Sequence, residues 1–79
     1  MFSQSYSSGV YSAIFKIYNL FGTVDVNVTG SYSMAVTEIS DKVYKIVGSV
    51  PSAPFSYTLN AFDTVDSVTR SFNRIYSYV

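Results

Sequence analysis

The chain has 79 residues, enough for one domain, and a domain this short buries only about 60–65% of the surface its unfolded form exposes. With no Cys and no His, disulfides, a structural zinc site and any Ser–His or Cys–His nucleophile pair are excluded. Five Lys/Arg balance five Asp/Glu, and a charged fraction of 13% against an apolar fraction of 48% argues against both a disordered chain and the net basic face of a nucleic-acid binder.

Met1 to Ser8 is Ser-rich, lacks periodicity and reads as an N-terminal arm on a single domain covering 1–79. Val10, Ala13, Ile14, Ile17 and Phe21 recur at helical spacing with Leu20 beside them, which predicts a helix over Gly9–Phe21, capped by Ser7 or Ser8 and ended by Gly22. The competing reading of this segment is a strand, because Tyr, Ile and Phe favour strands. Val24, Val26 and Val28 then alternate with Asp25, Asn27 and Thr29, the period of a half-buried strand. After a turn at Gly30 the alternation resumes with Tyr32, Met34 and Val36, and a turn at Ser40-Asp41 leads to a third strand over Val43–Val50. Pro51-Ser-Ala-Pro54 makes a loop, and Phe55, Tyr57 and Leu59 mark a fourth strand.

At the end of the chain, Asp63 and Asp66 read as a capping box. Val65, Val68, Phe72, Ile75, Tyr76 and Val79 read as one apolar stripe, and Asp66–Arg70 as an i, i+4 pair. They predict a helix over Asp63–Tyr78. The expected fold is therefore α+β, in the order α-β-β-β-β-α. A four-stranded antiparallel meander carries the N-terminal and C-terminal helices on one face. Asp25, Asn27, Ser33, Thr37, Lys45, Ser56 and Thr58 would make its polar outer face.

No enzyme chemistry is expected. Lys16, Lys42 and Lys45 fall on a helix surface, a turn and a polar strand side, where nothing lowers a lysine pKa. The acids are spread too widely to hold a cation, and the four single glycines form no phosphate loop, so no metal, cofactor or small-molecule substrate is expected. Asn27-Val28-Thr29 matches a glycosylation acceptor but lies in a predicted strand. No run of about 20 apolar residues and no basic, then apolar leader is present. The chain reads as intracellular, with no membrane association.

The first predicted helix is apolar over more than half its circumference, because Tyr11, Phe15 and Tyr18 form a second ridge beside the core stripe. Tyrosine-rich ridges anchor interfaces, so these three are the expected partner-binding residues, facing another protein or a second copy in a dimer. Arg70, Arg74 and Tyr78 are the residues that would serve nucleic acid or another polar contact.

The stretch Val43–Tyr76, a hairpin followed by Ala-Phe-Asp and an amphipathic helix, resembles a pattern of small phage, virus and plasmid accessory proteins. The element order resembles some small anti-CRISPR inhibitors. That resemblance implies a protein-binding module or inhibitor that docks an aromatic surface on its target. The alternatives are a self-assembling virion or filament subunit and a nucleic-acid-binding domain.

Overall fold

The computed structural model describes residues 2–18 and 21–79, and the expectations placed on Met1, Asn19 and Leu20 lie outside them. Among the described residues there is no helix. Seven strands form instead: β1 (Phe2–Ser7), β2 (Val10–Lys16), β3 (Asp25–Gly30), β4 (Met34–Ser40), β5 (Val43–Ser49), β6 (Phe55–Val65) and β7 (Val68–Tyr78). The α+β expectation is thus overturned, and both predicted helices are strands.

The physical reason lies in the turns. Ser8 and Gly9 both hold positive φ (53° and 78°), as do Asp66 and Ser67 (54° and 62°). Two consecutive left-handed residues make the tight hairpin turn whose twist matches antiparallel strands. The first turn folds the supposed arm back as β1, paired with β2 from Ser7↔Val10 to Phe2↔Phe15. The second folds β7 onto β6 over eleven residue pairs, from Val65↔Val68 to Phe55↔Tyr78. Asp66 is therefore a turn residue, and the expected helix cap does not exist.

The meander is also corrected. β4 and β5 pair as a hairpin, but β3 pairs with β6, and β2 with β5. The result is two antiparallel sheets, ordered β1-β2-β5-β4 and β3-β6-β7. Each strand carries one apolar side, and without helices only the other sheet can cover it. This is the strand order of the constant-type immunoglobulin sandwich, built without the Cys pair and Trp that mark antibody domains.

The core is the space between the sheets. Tyr11, Ala13 and Phe15 of β2 and Tyr44 and Ile46 of β5 meet Phe55, Tyr57, Leu59 and Ala61 of β6, with Ile17 and Val50 alongside. Ile46 and Leu59 are fully buried, and each contributes roughly 2–3 kcal/mol by leaving water. The expected polar outer face is split: Thr37 and Lys45 lie on one sheet, while Asp25, Asn27, Ser56 and Thr58 lie on the other.

Candidate functional site

Burial decides the fate of the expected aromatic ridge. In a strand, residues 11, 13, 15 and 17 share one side, and here that side is the core: Tyr11 is 0% exposed and Phe15 3%. Neither offers a surface to a partner, which corrects the placement of the ridge. Tyr18 stands apart from them at 62% exposure.

Tyr11 takes part in a buried hydroxyl chain. Its OH donates to Gln4 Oε1 at 2.8 Å and lies 2.6 Å from Tyr57 Oη. The Tyr11 proton is committed to Gln4, so Tyr57 donates and Tyr11 accepts. Burial raises the pKa of both phenols, and the proton that Tyr57 gives to Tyr11 raises its own further. Both stay neutral at ordinary pH, so this chain is a structural link.

Arg70 and Arg74 also part company. On β7 they occupy alternate positions with Phe72 between them. Arg70 reaches across the strand pair to Asp63, with Nε–Oδ1 at 3.1 Å and Nη2–Oδ2 at 2.6 Å. The Phe21 backbone N–H donates to the same carboxylate at 2.6 Å, and the guanidinium lies over the Phe21 ring, 5.2 Å from its centroid. The Arg70 hydrogen bonds, then the Phe21 bond, hold the Asp63 carboxyl below its ordinary pKa. Asp63 thus pins the β2–β3 connection to the end of the long hairpin. Arg70 is neutralised there, which removes it from the expected nucleic-acid contact. Tyr78 belongs to the core edge, stacked on Phe55 at 5.8 Å.

Arg74 is different. Its register partner is Leu59, so it points to the inner side of the sheet. At the sheet edge it leaves the core and lies over the Tyr76 ring, 5.6 Å from its centroid. Phe2 stacks on the same ring at 4.7 Å. Lys16, at the end of β2, lies 5.5 Å over the Tyr18 ring. These groups line one cleft of about 330 Å³ with Ile17 and Phe72, where β1 and the end of β2 face β7.

Two of the six residues expected as contacts, Tyr18 and Arg74, therefore converge on one cleft, and four do not. The ion pairs among the described residues are Lys42–Asp41 and Arg70–Asp63. Lys16 and Arg74 stand there beside Phe2, Ile17, Tyr18, Phe72 and Tyr76, and among the described residues no acid lines the cleft. Sequence reasoning missed Phe2, Lys16, Phe72 and Tyr76. Their signal was faint, because they come from opposite ends of the chain and meet only once β1 and β7 lie on the same flank.

No family model, curated protein or solved structure matches the chain. The element-order likeness to anti-CRISPR inhibitors rested on two helices and goes with them. No helix among the described residues is long and apolar enough to cross a membrane.

Proposed function

We propose that the protein is a non-enzymatic binding module that docks an acidic, extended segment of a partner protein in the cleft between β1/β2 and β7. One observation carries this reading: two cations, Lys16 and Arg74, are set over aromatic rings in a single cleft that, among the described residues, no carboxylate lines. Cations held in place over rings favour an anionic guest. Phe2, Tyr18, Phe72 and Tyr76 supply stiff apolar surface of the kind that anchors protein interfaces. The guest that fits is a strand carrying Asp or Glu next to an aromatic or aliphatic residue. The intracellular setting expected from the sequence is carried as part of the same proposal.

The test uses a phage-displayed library of random peptides panned on the purified protein. Enriched peptides should combine acidic and apolar residues, and their capture should weaken as salt rises. Lys16→Glu with Arg74→Glu should abolish capture while the far-ultraviolet spectrum stays that of the parent, since both side chains are exposed. No enrichment, or enrichment that survives the charge reversal, would sink the reading.

A second reading, self-association, is favoured by the open edge of β7.

A further inference from the structure

The outer face of the β3-β6-β7 sheet carries an amide ladder. Asn27, Asn60 and Asn73 stand in one row across the three strands. Asn60 Nδ2 donates to Asn27 Oδ1 at 3.0 Å, and Asn73 Nδ2 donates to Asn60 Oδ1 at 2.6 Å. The chain of amides thus runs in one direction and ends at Asn73 on the open edge of β7. Among the described residues no bond is made to Asn73 Oδ1.

The main chain of β7 is open along the same edge. The pair flanking a two-residue turn is hydrogen-bonded, and bonded pairs alternate with unbonded ones. Starting from Val65↔Val68, the residues whose N–H and C=O point away from β6 are Thr69, Ser71, Asn73, Ile75 and Ser77. Gln4 Nε2 meets the Ser77 carbonyl from this outer side, at 3.5 Å. The edge is eleven residues long and holds no Pro or Gly, whereas β1 and β3 have six residues each and β4 is broken by a register shift between Glu38 and Ser40. Long unbroken edges are templates for another strand.

We infer that β7 pairs antiparallel with β7 of a second copy, on a two-fold axis through Asn73, to give a continuous sheet β3-β6-β7-β7-β6-β3.

Three independent features select the same register. First, Asn73 is the midpoint of Val68–Tyr78, so only this register pairs the strand over its full length. Second, it sets Arg74 beside Phe72 and Arg70 beside Tyr76 of the other copy. A shift of the axis to residue 74 opposes Arg74 with itself, and like charges directly opposite destabilise a strand pair, so that shift is disfavoured. Third, it brings the two Asn73 amides together, where each unused oxygen can accept the second N–H of the other. The ladder then runs through six asparagines. Pairing exchanges the long Gln4–Ser77 bond for a main-chain bond to Thr69 of the other copy. It also sets Phe72, Arg74 and Tyr76 of both copies on one inner surface, so the two clefts join across the axis.

The full chain has no Cys, so single thiols report the register without background. Light scattering over a wide concentration range should show a mass that doubles. Oxidised Asn73→Cys should form a covalent dimer, since directly bonded antiparallel partners stand about 5.5 Å apart at Cα, within disulfide reach. Ser71→Cys and Ile75→Cys alone should link at least roughly tenfold more slowly, because each would lie more than about 12 Å from its own copy. A mixture of the two should link at the Asn73→Cys rate. Asn73→Pro removes a donor that faces away from β6 and should leave a folded monomer. A strict monomer, or linking that is no faster at Asn73 than at Ser71, would overturn the inference. A strict monomer still carries the whole lining of the cleft on one chain, so peptide capture can hold where the pairing fails, and the two proposals fail separately.

Discussion

The hydroxyl chain Tyr57–Tyr11–Gln4 gives the sharpest test of the core. Changing Tyr11 to Phe deletes the acceptor for the Tyr57 proton and strands a buried donor, since Tyr57 is 2% exposed. An orphaned buried polar group costs about 1–3 kcal/mol. Changing Tyr57 to Phe instead leaves Tyr11 still donating to Gln4, so only one ordinary hydrogen bond is lost, about 0.5–1.5 kcal/mol. With both changed, no donor is stranded, and the double variant should be less stable than Tyr57→Phe alone only by the lost Tyr11–Gln4 bond, about 0.5–1.5 kcal/mol. The two single losses must then fail to add, with a coupling of about 1 kcal/mol or more. At roughly 4–8 °C per kcal/mol for a domain this size, a 2 kcal/mol loss lowers the melting temperature of Tyr11→Phe by about 8–16 °C. The assay is thermal and urea unfolding of the four proteins, followed by circular dichroism. Losses that add, or a harmless Tyr11→Phe, would refute the buried hydroxyl chain. A surface Tyr11, as on the expected helix, gives the harmless result.

Two further outcomes follow from local geometry. A Cβ on Gly48 would sit 2.6 Å from Met34 Cγ and 3.0 Å from the Ser33 carbonyl oxygen, so Gly48→Ala should cost about 1–3 kcal/mol in urea unfolding. Stability against pH should fall at both ends. Asp63 has a folded pKa below its ordinary 3.8, so its contribution is complete above that value and is lost as pH drops through the folded pKa. Asp63→Asn should remove that acid limb. Tyr44 is pushed up to about 12 by burial and then by Glu38. Its contribution is complete below pH 10 and is lost as pH rises toward 12. A urea midpoint that stays flat between pH 10 and 12 would contradict a buried Tyr44.

Much of the middle of the chain was legible. Val24–Thr29 and Tyr32–Thr37 alternate cleanly because β3 and β4 each lay one side on the core and show the other to water. The loop at Pro51–Pro54 follows from residue type, and the turn expected at Ser40-Asp41 falls one residue later, at Asp41-Lys42. The candidate site was legible only in Tyr18 and Arg74, because the cleft forms from segments far apart in sequence.

The two ends were misread for a common reason. In β2 and the residue after it, the buried Tyr11, Ala13, Phe15 and Ile17 have period two, but the apolar Val10 and Ile14 on the outer side complete a helical pattern as well. In β7, the inner positions include Arg70 and Arg74, while the apolar Ile75 faces outward at 70% exposure. Apolar residues on the outer side of both strands blur the period of two, so the hydrophobic pattern loses the information that fixes their type.

What the sequence determined by itself was local: short strands where alternation is strict, turns where Gly, Pro and Asp stand, and a chain without thiol or imidazole chemistry. What only the tertiary structure decided was non-local. The β2–β5 and β6–β7 pairings converted the ambiguous ends into strands, the facing of the two sheets buried Tyr11 and Phe15, and the β6–β7 register matched Arg70 to Asp63. Strand type at an ambiguous segment depends on which backbone stands ready to bond it. That partner is chosen by the burial of whole faces, a quantity no single window of sequence contains.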